Sequence, residues 1–311
     1  MKIAIFGVGG VGGYFGGRLA QAGEEVVFIA RDKHLKTIQT NGLKVDSILG
    51  DFVVYPAQAS GDPQQVGPVD AVLVAVKAWD VPEAAQAMRP LVGEQTFVVP
   101  LGNGVDAPEQ LVATLGAEHV LGGLCQISAI KAGPGYIRHV GIKPYVSFGE
   151  MDGRTSSRAE RLRQALERAG VDVEISADIQ AAMWDKFLFI AAISGVGAVT
   201  RTPVGVYRSL PETRRMLIAA MQEIVDVAKA RGVRLPEDAI DKRLAFIDSM
   251  ATGVLASMQR DVIEGRPSEL RSQNGAVVRM GLELGVPTPV HDFIFTSLLP
   301  QELRARGELQ F

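Results

Sequence analysis

The stretch "IAIFGVGGVGGYFGG", residues 3–17, restricts the fold of this chain more tightly than any other. An apolar run with strand character passes directly into Gly7, Gly9 and Gly12, which stand in G-x-G-x-x-G register, and a helical pattern follows. Such a strand–turn–helix needs a tight turn at Gly7, close backbone approach to an anion at Gly9 and close helix packing at Gly12. The helix N-terminus then faces the anion, and a pyrophosphate is the group it suits. Without its context the pattern is only a glycine-rich turn; placed at the start of a βαβ unit it predicts dinucleotide binding.

The rest of the first half supports that context. "KIAIF", "EVVFIA", "DAVLVAV" and "TFVVP" are short, nearly continuous apolar runs, as expected of strands buried on both faces of a parallel sheet. "GGYFGGRLAQAG" and "DVPEAAQAMRPLVG" read as crossover helices ending at Gly23 and Gly93. The expected class is α/β, with an N-terminal Rossmann-type doubly wound parallel sheet over residues 1–177 followed by an all-helical domain over 178–311. Helices are expected over Pro211–Ala230, from Pro236 to about Met250, over Thr252–Ile263 and over Pro267–Leu284. In "TSSRAERLRQALERAG", Ala159, Leu162, Leu166 and Ala169 share one face, so the charges opposite them are a solvated surface.

The run Phe187–Val199 has Ser194 as its only polar side chain. It is shorter than the roughly 20 apolar residues a membrane span needs, and a buried helix of a soluble protein is expected. A net charge of -3 offers no general attraction to nucleic acid or to an anionic membrane. The single cysteine, Cys125, excludes an internal disulfide and suits the cytoplasm. His34, His119, His139 and His291 have no metal-ligand spacing, so no metal is expected. Nothing in the sequence sets the oligomeric state, and a homodimer stays open.

The second strand ends in Ala30 and Arg31 rather than an acidic residue. An arginine fork there matches a ribose 2′-phosphate; the alternative is a solvated arginine paired with Asp32. Lys77, at the tip of "DAVLVAV", either adds positive charge near the cofactor or is a solvated strand-end lysine. Asn103 in "PLGNGVD" follows a strand, where ligands sit in open α/β sheets. Lys186 heads the apolar run, and pattern alone favours a snorkelling lysine. Ser257 and Glu269 lie twelve residues apart, and Pro267 and Ser268 mark Glu269 as a first-turn carboxylate favoured by the helix dipole.

Taken in order, Gly7-Gly9-Gly12, Arg31, "VKAWD", "GNGV", "WDKF", "SMQRDVIEGRPSEL", "NGAVVRMG" and "GVPTPV" resemble the ketopantoate reductase (2-dehydropantoate 2-reductase) family along essentially the whole chain. The resemblance implies NADPH-dependent reduction of a 2-oxo acid. By position it makes Lys186 the catalytic lysine, Glu269 the active-site glutamate, Ser257 a substrate-binding serine and Asn103 the asparagine near the nicotinamide. It also exposes departures. The family places asparagines four and eight residues after its lysine, where this chain has Ile190 and Ser194, and a further asparagine falls on Val204. Asp80 stands where glutamine is frequent. Three readings follow: a ketopantoate reductase, a reductase of another 2-oxo acid, or an NADPH-binding regulatory protein without turnover.

Overall fold

The computed structural model describes residues 1–311 and separates them into two compact units. One comprises Met1–Gly102 and Asp106–Ala182; the other comprises Asn103–Val105 and Met183–Phe311. The division therefore falls between Ala182 and Met183, inside a helix, where the sequence reading placed it after residue 177.

In the first unit, five parallel strands form a sheet in the order Gln58–Ser60, Glu25–Ile29, Lys2–Phe6, Ala71–Val74, Phe97–Pro100. The strands Lys2–Phe6 and Ala71–Val74 lie side by side at the point where strand order reverses, as in doubly wound folds. Three of the four apolar runs are the inner strands, and the fourth is Phe97–Pro100 at the edge. Ile3, Ala4, Ile5, Val72 and Val98 are fully buried because helices cover both faces.

The glycine-rich helix Gly10–Gln21 is glycine-rich because it is pressed between two sheets. A Cβ on Gly16 would stand 2.6 Å from Ile5, and one on Gly13 would stand 2.6 Å from Ile137. Ile137 belongs to a second sheet, ordered Phe52–Val54, Leu43–Ser47, Tyr136–His139, Ala129–Gly133. That sheet was not legible beforehand, because its strands are short and carry exposed polar residues such as Lys44, Lys131 and Arg138. A third sheet joins Leu121–Gln126, Tyr145–Glu150 and Asp172–Ile175, the first pair antiparallel. The second crossover helix also differs from expectation. It stops at Ala87, and Arg89–Leu91 continues as a 3₁₀ turn, because Pro90 has no N–H to donate to the Gln86 carbonyl and cannot continue the α-helical ladder.

The second unit is helical. Its central post is Ile179–Thr200, which begins in the first unit and starts earlier than the apolar run suggested. By length and composition this helix could cross a membrane, yet two-thirds of its apolar window (67%) is buried within the protein. Each side of the post has a partner. Asp185 pairs with Arg243, and Phe189 packs edge-on against Phe246 at 5.2 Å, both partners lying on the helix Ala239–Ser249. Gly195 admits the Asn274 amide, which would lie 2.4 Å from a Cβ there, and Asn274 Nδ2 donates to the Ala191 carbonyl at 3.2 Å.

The helix Pro211–Ala230 lies where its pattern placed it, but two others are shorter than expected. Thr252–Ile263 is helical only over Ser257–Ile263, since the Thr252 and Val254 carbonyls accept bonds from Gly205 and Val204 N–H groups. Pro267–Leu284 is helical only over Asn274–Leu284. The last helix, Pro289–Ala305, was not foreseen, because Pro300 interrupts its pattern. Its first turn is secured by Glu223, whose carboxylate accepts from the Val290 and His291 N–H groups at 2.7 and 2.9 Å.

Candidate active site

In the first unit the expected cofactor residues other than Asn103 converge. The glycine loop, Arg31 and Lys77 follow the carboxyl ends of three adjacent strands, Lys2–Phe6, Glu25–Ile29 and Ala71–Val74. Gly7 has φ +97°, and a Cβ there would meet Val76 at 2.8 Å. A Cβ on Gly12 would lie 2.1 Å from the Gly7 carbonyl oxygen. Gly9, the N-cap, is different: nothing lies within 4 Å of its Cβ position, so the space beside it is open. The helix that follows has no acidic residue in its first turn, which leaves the positive end of its dipole available to an anion.

Arg31 is exposed and pairs with Glu83 at 3.1 Å, both side chains 71% exposed. Glu83, not Asp32, is thus its partner; Asp32 instead takes a left-handed φ of 53° at the start of the next helix. An ion pair this exposed contributes about 0–1 kcal/mol, so Arg31 can exchange it for a phosphate at little cost. Lys77 is exposed after its strand, with its ammonium 5.5 Å from the centre of the Trp79 ring. Asp80 closes the 3₁₀ turn Ala78–Asp80 and is exposed.

The second unit holds the other set. Glu269 is buried, and its Oε2 accepts two amide N–H groups, from Asn103 Nδ2 and Gln273 Nε2, each at 3.1 Å. Two donors on one oxygen fix the carboxylate plane. Glu269 does not occupy a helical first turn as expected. It lies in a turn closed by the Gln273 N–H donating to the Glu269 carbonyl at 2.9 Å, ahead of the helix at Asn274.

That turn is anchored from behind. Glu302, itself buried, accepts from the Ser268 N–H and hydroxyl at 3.1 and 2.5 Å and from Arg306 at 2.5 Å. Gln273 and Glu302 were not singled out from sequence. The Glu-x-x-x-Gln spacing of Glu269 and Gln273, one turn apart, was the available signal for the first. For Glu302, thirty-four residues from Ser268, there was none.

Lys186 is half-buried on the central post, next to the Asp185–Arg243 pair. Ile190, half-buried, and Ser194, fully buried, follow at one-turn intervals on the same face. The Ser194 hydroxyl has no hydrogen-bond partner within the protein. Ser257 is half-buried and begins its helix. Val204 is buried, with its backbone engaged by Val254; it contributes packing where an asparagine side chain was expected.

Comparison with known proteins agrees with both halves. Residues 3–153 match the family model for ketopantoate reductase PanE/ApbA, and residues 178–302 match the model for its C-terminal part. An uncharacterized oxidoreductase of Bacillus subtilis, YkpB, is 30% identical over 96% of this chain and 98% of its own length. The crystal structure of a PanE/ApbA family ketopantoate reductase from Ralstonia eutropha superposes with a TM-score of 0.90 at 32% identity, covering 98% of this chain and all of the other. D-mandelate dehydrogenase, solved with NADH and anilino(oxo)acetate, shares the fold at a TM-score of 0.89 and 23% identity, over 98% of this chain and 99% of its own. With both family models matched in order along a Rossmann-type unit and a helical unit, the chain belongs to the ketopantoate reductase PanE/ApbA family of oxidoreductases.

Proposed function

We propose that the chain reduces 2-dehydropantoate (ketopantoate) to pantoate with NADPH, in the cytoplasm, as a step of pantothenate synthesis. The carrying observation is the Glu269 carboxylate, buried and held by the Asn103 and Gln273 amides in the same unit as Lys186. Binding a dinucleotide requires neither Lys186 nor Glu269, so their retention favours turnover over a regulatory role.

The cofactor fits the first unit. Gly9 leaves room for a pyrophosphate at the helix N-terminus, while Arg31 and Lys77 supply cations after the two strands that flank Lys2–Phe6, Arg31 with the fork that suits a 2′-phosphate. A bound NADPH supplies the hydride that reduces the ketone carbon. As the carbon–oxygen double bond opens, negative charge builds on the oxygen; the Lys186 ammonium stabilises it and donates the proton that completes the alcohol. Glu269, fixed in orientation, aligns that ammonium or accepts a hydrogen bond from a substrate hydroxyl.

A second reading, reduction of a different 2-oxo acid, is favoured by Ile190, Ser194 and Val204 standing where the family pattern has asparagines. The kinship in fold with D-mandelate dehydrogenase is compatible with a bulkier substrate. Oxidation of NADPH and of NADH, followed by loss of reduced-nicotinamide absorbance, separates the readings. The panel is ketopantoate, its analogue lacking the hydroxyl, and an aryl 2-oxo acid. The highest kcat/KM with ketopantoate and NADPH is expected; a higher value with another acid selects the second reading. Tight NADPH binding without turnover on any of them would identify a regulatory protein.

A further inference from the structure

The dinucleotide reading leaves His34 without a role, although its ring spans two backbone groups far apart in sequence. Nε2 lies 2.7 Å from the Val8 carbonyl oxygen, and Nδ1 accepts a hydrogen bond from the Gly135 N–H at 2.9 Å. A carbonyl can only accept and a peptide N–H can only donate. The two partners therefore require a proton on Nε2 and none on Nδ1, which is one tautomer of the neutral ring. Burial, reinforced by the charge of Lys131, lowers the pKa of this histidine and favours the same neutral state.

Val8 stands between Gly7 and Gly9, and its carbonyl shares a peptide plane with the Gly9 N–H. Because that plane is rigid, a bond to the carbonyl sets the direction of the N–H. On the far side of the ring, Gly135 lies in the turn between Ala129–Gly133 and Tyr136–His139, with φ +63°. Its carbonyl accepts from the Lys44 N–H at 2.8 Å, and Thr37, one turn beyond His34 on the same helix, would stand 2.6 Å from a Cβ there. The turn is thus a fixed anchor rather than a mobile end.

We propose that His34 is a positioning residue for the dinucleotide, bracing the Val8–Gly9 peptide of the glycine loop against the Gly135 turn so that the loop is preformed for pyrophosphate. The inference rests on the reading that this loop binds a dinucleotide. A replacement must donate at one end and accept at the other, which glutamine can do and leucine cannot.

The test is titration of the full-length protein with NADPH, followed by its fluorescence, for the unmodified chain, His34→Leu, His34→Gln and His34→Asn, each with a thermal melt. In His34→Leu the dissociation constant should rise about tenfold, corresponding to the loss of one hydrogen bond of roughly 1.4 kcal/mol. His34→Gln should recover most of that loss, and turnover at saturating NADPH should be unchanged. His34→Asn, too short to reach both groups, should bind as weakly as His34→Leu and replaces it if the leucine variant does not fold. NADPH affinity within twofold of the original in His34→Leu or His34→Asn overturns the proposal. Equal weakening in the glutamine and leucine or asparagine variants overturns it too, since packing alone would then explain the loss. An unmodified chain that fails to bind NADPH or NADH would refute the dinucleotide reading itself, a separate result.

Discussion

Replacing Glu269 in two ways separates what its carboxylate does for stability from what it does for chemistry. In Glu269→Gln the side-chain oxygen can take the place of Oε2 and still accept the Asn103 and Gln273 amides, now without charge assistance. That loss costs below about 1 kcal/mol. In Glu269→Leu neither amide has its acceptor. Asn103 is half-buried and can turn to water, but Gln273 is fully buried, and a buried donor left unmatched costs roughly 1–3 kcal/mol. Its Oε1 already lacks a partner within the protein, so rotating the amide relieves nothing. Thermal unfolding should show Glu269→Gln within a degree or two of the original and Glu269→Leu lower by about 3–10 °C. Steady-state kinetics on the leading 2-oxo acid should show kcat reduced in both, by about tenfold or more, if the charge is needed to align Lys186 or the substrate. A glutamine variant that melts as low as the leucine variant would refute the assignment of the two amides to this oxygen. One that keeps full turnover would refute the role of the charge.

Lys186→Ala should lower kcat by about a hundredfold or more while leaving NADPH affinity nearly intact; turnover within a few-fold of the original would mean that the lysine merely snorkels. Arg31→Ala should weaken NADPH by about tenfold or more and leave NADH unchanged, the loss expected for a charge-assisted bond of roughly 1.5–3 kcal/mol. Titrating Glu83→Ala with NADPH should reveal equal or tighter binding, because Arg31 no longer divides its fork with a carboxylate, and weaker binding would show that Glu83 serves the site. Ile190→Asn should raise the ratio of kcat/KM for ketopantoate to that for its analogue lacking the hydroxyl; a fall in that ratio would remove Ile190 from the pocket. Finally, burial lowers the pKa of His291 to about 4. Its Nε2 is bonded to the Ala220 carbonyl and its Nδ1 to Asn274. The unfolded chain, with an ordinary histidine near 6.5, binds the proton more readily, so stability is complete above pH 6.5 and is lost as pH falls toward 4. Denaturant unfolding should register a loss approaching about 3 kcal/mol over that window, and a His291→Gln variant that kept the same slope would assign it to other groups.

The sequence alone determined those features that depend on neighbours along the chain. Strands such as Lys2–Phe6 and Ala71–Val74 were legible because burial on both faces demands an unbroken apolar run. Gly7 was legible because its turn needs a left-handed φ, and Lys186 because a charge at the head of an apolar run is conspicuous. The pattern also extended helices too far, since periodicity cannot register that the Thr252 and Val254 carbonyls are taken by Val204 and Gly205, or that Ser268 is held by Glu302. Tertiary structure decided which polar groups meet. Asn103 and Glu269 are separated by 166 residues along the chain and joined by a 3.1 Å bond, and no periodicity spans such an interval. Likewise the crowding of Gly13 and Gly16 between two sheets, and the clasp of His34 on Val8, follow from which surfaces face each other. That choice is made by the summed burial of whole elements rather than by any local run of residues.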